Sequence, residues 1–331
     1  MMGCVTDEIP MLERARLATM ARRYFLEQRS KVEIAEEFGL SRFKVARMLE
    51  LARELGIVTI WIEDAAPIDD ALSASLAQHC GLRRAVVVNS PADDGESLRA
   101  RIGEAGAGVL TEVLRAGDVL GLAWGRTLTA MIEALPSLPE VSIVQLTGAV
   151  GANLHDSPVE LVRKAALNAG GPAHPIFAPL LVDSATTANA LRQQADVAVA
   201  LKLFDSLDIA VVAIGSWDPP ISQVRNAFRA DERDDMLRRG VRAEVAATFV
   251  TDDGEIVGED YVERCIAITA EQLHAIPEVI AVAGGVQKAK AIHAIVAAGL
   301  ITSLVTDADV ARYLLTQPAP AGKPHTRRER R

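Results

Sequence analysis

Apolar residues recur every three to four positions through residues 31–55 and then run together, and this change of period marks the first module of the chain. Ile34, Ala35 and Phe38 share one face of a short helix. Gly39 follows, where a left-handed backbone is needed and only glycine adopts it cheaply. Ser41 is placed to cap a second helix, whose buried stripe is Val45, Met48, Leu49 and Ala52. Gly56 then releases the chain into the β-branched run Ile57–Ile62, which reads as a strand. Upstream, residues 11–29 form a third, longer helix that closes a small core through Leu12, Leu17, Met20, Tyr24 and Phe25. The outline is a helix-turn-helix followed by a strand.

From about residue 70 the pattern changes to short apolar runs alternating with helical periods. Strands are expected at 85–88, 118–122, 142–146, 209–214, 279–282 and 303–305, with shorter ones at 176–178 and 180–182. Helices are expected over 69–79, 96–115, 127–135, 187–204, 270–275 and 287–298, the second facing inward through Ile102, Ala105, Val109 and Leu110. Buried strands alternating with helices predict an α/β fold, a doubly wound parallel sheet with helices on both faces. The break between the modules falls near residues 61–70, where the string Glu63–Asp70 interrupts the pattern.

Chemistry is placed on this frame by a few residues. Arg42, Phe43, Lys44 and Arg47 fall off the buried stripe of the second short helix, in its first two turns, next to Ser41. A recognition helix enters the major groove with its N-terminal residues toward the base edges, and Arg and Lys pair with guanine or neutralise phosphates. These five residues are the DNA-binding candidates. In open α/β sheets ligands bind beyond the carboxyl ends of the strands. Three loops there join a strand to glycines: 121–127 (GLAWGRT), 145–151 (QLTGAVG) and 281–288 (AVAGGVQK). Helix N-termini, glycines, hydroxyls, a guanidinium and a lysine suit an anionic small ligand. There is no Walker loop, and no G-x-G-x-x-G follows a first strand, so a nucleotide is not expected.

Charge separates the modules. The chain of 331 residues carries a net −9. Residues 11–60 hold ten Lys/Arg against seven Asp/Glu, residues 61–322 hold 20 against 34, and residues 323–331 hold five against one. A protein that coats nucleic acid along its length would be basic throughout, whereas this one reads as a small DNA reader on an acidic body. The three cysteines, Cys4, Cys80 and Cys265, have neither metal-ligand spacing nor an even-numbered framework. No signal-peptide pattern opens the chain and no apolar run is long enough to span a membrane, so a cytoplasmic setting is expected, with no metal and no cofactor.

The chain resembles the SorC family of sugar-responsive transcriptional regulators, sometimes grouped with DeoR-type regulators. The resemblance is carried by L-S-R-F-K-V-A-R-M-L (40–49), G-I-V-T-I (56–60), W-G-R-T-L (124–128), V-Q-L-T-G (144–148) and D-D-G (252–254). The most specific block joins residues 281–292 with L-V-T-D-A-D-V-A (304–311). It implies a winged-helix-like DNA-binding domain over residues 1–62. An effector and oligomerisation domain related to sugar-phosphate isomerases would span 63–317, and a disordered basic tail 318–331. It also implies operator DNA as partner, a phosphorylated sugar or polyol as effector, and a homodimer or homotetramer as working form.

By position, Gly125, Arg126 and Thr127 would hold the phosphate, Thr147 and Gly148 would face the sugar, and Lys288 would contact the phosphate or an adjacent hydroxyl. Asp252 would also face the sugar. Residues 240–245 (GVRAEV) depart from the family, many members of which have a second glycine followed by Asp. The alternative is a sugar-phosphate isomerase or deaminase carrying a DNA-binding module. Catalysis would need a general base in the pocket. Among the histidines, His155 is the one near a glycine loop, and His293 follows the Lys288 helix start. Asp252 and Asp253 beside Gly254 read as turn residues.

Overall fold

The structure, a computed structural model, describes residues 10–58, 68–89, 95–150 and 157–320. The chain divides into two compact units, Met1–Ala65 and Ala66–Arg331. The strand expected at 57–62 reaches beyond the described residues, as does most of the expected tail.

The first unit contains three helices, α1 (Met11–Phe25), α2 (Lys31–Phe38) and α3 (Arg42–Glu54). Ser30 and Glu33 form a reciprocal cap at the start of α2. Gly39 ends that helix at φ +63°, a left-handed conformation that costs a residue with a Cβ. Ser41 Oγ accepts the Lys44 N–H at 3.2 Å and starts α3. Leu17, Met20, Ile34, Ala35, Val45, Leu49 and Ala52 close the core. Leu12 is not part of it: at 87% exposure it lies a turn before the first buried residue of α1.

The second unit opens with α4 (Asp70–Cys80), β1 (Arg84–Val88), α5 (Gly95–Val113), β2 (Val119–Leu122), α6 (Arg126–Glu133) and β3 (Ser142–Gln145). It continues through α7 (Pro158–Ala169), β4 (Ala173–His174), α8 (Ala185–Arg192), α9 (Ala195–Leu203), β5 (Ile209–Val212) and β6 (Gly215–Ser216). After α10 (Ala230–Arg238) come β7 (Val241–Val245), β8 (Thr248–Thr251), β9 (Ile256–Val257), α11 (Glu259–Val262) and α12 (Ala270–Ala275). The chain then forms β10 (Glu278–Val282), α13 (Ala289–Ala298), β11 (Ser303–Asp307) and α14 (Ala308–Thr316).

Seven strands form a parallel sheet in the order β1-β11-β10-β5-β2-β3-β4. From β2 the chain steps outward to β3 and β4, and from β5 it steps the other way to β10 and β11. The switch point therefore lies between β2 and β5, where the following loops diverge and leave a crevice. Every residue of β5 and β10 is buried, as expected of strands covered on both faces.

Three expectations are corrected. The helix at 187–204 is two helices, because the chain turns between Arg192 and Ala195. Residues 176–178 and 180–182 form no strand and make only isolated bridges nearby, Ala149 with Pro179 and Leu181 with Cys265. Pro175 and Pro179 supply no N–H for a ladder. A four-stranded antiparallel sheet, β6-β7-β8-β9, went unread. Its strands are short, and the alternation of Val241, Ala243 and Val245 with Arg242 and Glu244 in β7 spans only five residues.

This small sheet has its own aromatic core. Trp217, Phe228 and Phe249 meet edge to face with centroids 5.5–5.7 Å apart. The β7–β8 turn is Ala246–Ala247, with φ of +49° and +63°. Two-residue hairpins of this kind favour Asn-Gly, and a left-handed Ala costs about 1–2 kcal/mol. Ala246→Gly should therefore raise stability in urea by up to about 1 kcal/mol. A fall instead would mean that the lost methyl packing outweighs the relieved strain.

Candidate functional site

On α3, Ser41, Arg42, Phe43, Lys44 and Arg47 are all exposed, on the face opposite Val45, Leu49 and Ala52. Nearby cations are engaged elsewhere: Arg23 and Arg29 both pair with Glu37. The α3 cations stay at the helix surface, with Arg42 lying over the ring of its neighbour Phe43.

In the second unit a cavity of about 390 Å³ opens at the carboxyl ends of β2, β5, β10 and β11. Gly125, Arg126, Thr127, Thr147 and Lys288 line it, so residues from all three glycine loops meet there. α6 begins at the cavity with Gly125 before it and no side-chain cap, leaving its first N–H groups for a ligand or water. Thr147 Oγ1 accepts the Trp124 Nε1–H at 3.0 Å, which fixes the indole against the wall. Asp307 Oδ2 accepts the Gly285 N–H at 2.6 Å, while Oδ1 accepts N–H groups of Asp309 and Val310. That carboxylate ties the β10 loop to the start of α14.

Two expected residues lie elsewhere. Gly148 is buried against the carbonyls of Ala178 and Pro179, so close that a Cβ would collide with them. It packs two segments together and does not border the cavity. Asp252 is exposed and holds Arg242 through two hydrogen bonds, at 2.7 and 2.9 Å. Arg242 also bonds Asp218 at 2.7 Å, so this cluster braces the small sheet outside the cavity.

Sequence reasoning missed several lining residues, among them Arg99, Ser222 and Glu244. Arg99 comes from α5, far along the chain from the glycine loops, and no local motif marks it. Ser222 and Glu244 come from the small sheet and the segment before it. Glu244 is buried, with its carboxylate accepting Ser222 Oγ at 2.9 Å and the Ala247 N–H at 3.4 Å. A Cβ at Gly215 would overlap the Glu244 carboxylate, so only glycine leaves room there. An acid within an apolar run was the available signal, in the stretch that departs from the family.

The electrostatics are unbalanced. Burial pushes the Lys288 amine down to about 8, and Arg126 and Arg99 add to the effect while Glu244 opposes it. Lys288 Nζ donates to the Ile214 carbonyl at 3.0 Å. Burial also raises the Glu244 carboxyl, against the pull of Ser222, Ala247 and Lys288. Three cations and uncapped N–H groups suit an anion, and the buried acid that acts on Lys288 suits hydrogen-bond donors.

The comparisons agree with this geometry. A family model described as "Putative sugar-binding domain" matches residues 68–316. The transcriptional regulator LsrR of Enterobacter sp. (strain 638) is 30% identical over 318 residues, covering 93% of this chain and 94% of its own. The sorbitol operon regulator of Klebsiella pneumoniae is 29% identical over 307 residues, covering 90% and 97%. The crystal structure of full-length SorC from Klebsiella pneumoniae aligns with a TM-score of 0.70 at 27% identity, covering 92% and 99%. Fold and cavity thus define a ligand-sensing α/β domain that follows a small helical unit. The chain belongs to the SorC family of transcriptional regulators with a sugar-binding domain.

These relatives are regulators and not enzymes, which decides against the isomerase or deaminase alternative. Of the residues weighed for catalysis, His155 lies outside the described residues and His293 is half-buried on α13. Among the described residues no helix is long and apolar enough to cross a membrane.

The Lys288 shift has a measurable sign. Between about pH 8 and the ordinary lysine value of 10.5 the unfolded chain holds a proton that the folded one has lost. Stability contributed through Lys288 therefore rises with pH across that window. In urea unfolding, wild type should gain on Lys288→Met as pH goes from 8 to 10. A constant difference would mean that the amine is not depressed.

Proposed function

We propose that the protein regulates a carbohydrate or polyol catabolic operon, reading operator DNA with α3 and binding a phosphorylated sugar or polyol in the cavity. The supporting observation is the cavity's polarity. Arg99, Arg126 and Lys288 line it together with the uncapped N-terminus of α6, and Glu244, bonded to Ser222 and acting on Lys288, lines it as an acceptor. A phosphate suits the cations, and hydroxyl groups suit the acid. Gly125, Arg126, Thr127 and Lys288 take the phosphate. Thr147 and Glu244 face the carbon skeleton, Glu244 in the role the sequence offered to Asp252.

Regulation follows from linkage. An effector shifts DNA affinity only through unequal binding to two states of the protein. The cavity joins loops of the parallel sheet to the small antiparallel sheet, so a ligand that bridges them favours one packing of the two. In a homodimer or homotetramer that preference alters the spacing of paired α3 helices on DNA. The protein would act in the cytoplasm, where the operator lies.

A thermal-shift series of phosphosugars, polyol phosphates and their free counterparts tests the effector class. A ligand at one hundred times its Kd stabilises by about 2.7 kcal/mol. Phosphorylated compounds alone should shift the wild type, and Lys288→Ala should abolish the shift while leaving DNA binding intact. Equal shifts from free sugars, unaffected by Lys288→Ala, would overturn the phosphate assignment. On the DNA side, Arg47→Ala should weaken binding to all duplexes without changing ligand response. The slope of log K against log salt should fall by about 0.9. An unchanged slope would remove Arg47 from the phosphate contacts.

A further inference from the structure

The exposed face of α3 carries one large apolar side chain among its cations. Phe43 is 77% exposed, while the core of its unit is closed by other residues. It sits in the first turn of the helix between Arg42 and Lys44. The Ser41 cap holds that turn, and the Arg42 guanidinium lies 5.7 Å from the ring centroid. A phenyl ring flanked by cations on both sides is matched to a surface that is polyanionic overall and apolar at one point. The major groove is such a surface: its phosphates meet the cations, and the apolar group on its base edges is the C5 methyl of thymine.

We propose that Phe43 packs against the C5 methyl of a thymine in each operator half-site and so specifies a T·A pair there. The inference rests on the DNA-reading role of α3 and adds to it the base that this side chain selects. Arg42 and Lys44 supply charge and register, whereas Phe43 supplies discrimination without a hydrogen bond. A cytosine in the same place offers a C–H where thymine has its methyl. The penalty is then that of one unburied methyl, about 0.8 kcal/mol, or about fourfold in affinity.

The test uses the full-length protein and duplexes selected by it from a random pool. In the selected sequence each thymine is replaced singly by deoxyuridine, which removes only the methyl, and Kd is read by fluorescence anisotropy. One thymine per half-site should show a loss of about fourfold on replacement. Phe43→Ala, checked for native circular dichroism, should bind the parent and that substituted duplex equally, and Phe43→Leu should retain part of the difference. Wild type indifferent to every replacement overturns the proposal, and so does a penalty that persists in Phe43→Ala. If no sequence is enriched at all, the DNA-reading role of α3 fails first, and the inference falls with it.

Discussion

Parallel strands point the same way, so the helices that follow them begin at one edge of the sheet, and their N–H groups gather there. The cavity depends on that polarity. It lies at the switch point between β2 and β5, where neighbouring connections diverge. Arg126 and Lys288 enter from loops after two strands of that edge, and Arg99 from α5. Burial, with Arg126 and Arg99 adding to it, holds the Lys288 amine down to about 8. Glu244 opposes that shift, while Asp307 is committed to backbone N–H groups.

The small antiparallel sheet supplies what the parallel sheet lacks. Its β7 strand brings a buried acid to a cavity otherwise rich in cations. Three local features keep Glu244 there: the Ser222 hydroxyl, the strained Ala246–Ala247 turn and the glycine at 215. Arg242, two residues earlier on the same strand, reaches Asp218 and Asp252 and braces the outer side. The same strand therefore serves the cavity with one side chain and the framework with another.

The first unit works by a different division of faces. Its core is small, and α3 commits only Val45, Leu49 and Ala52 fully to it. Met48 and Leu51 pack against it in part, and the exposed face carries Arg42, Phe43, Lys44 and Arg47. That separation lets the exposed face change without disturbing the core.

Much of this was legible in the chain because it depends on local rules. The Gly39 turn, the Ser41 cap and the α3 stripe follow from backbone sterics and a period of 3.6. The buried strands follow from short apolar runs, and the glycine loops from helix starts after strand ends. What tertiary structure alone decided is which distant residues share a wall. Arg99 and Glu244 reach one cavity from α5 and from a second sheet, and no spacing in the sequence encodes that meeting. Gly148 and Asp252, which the family resemblance placed facing the sugar, lie in a packing contact and an ion pair. Periodicity reports which face of an element is buried, whereas a site is made by elements meeting, and that is settled by how the sheets pack.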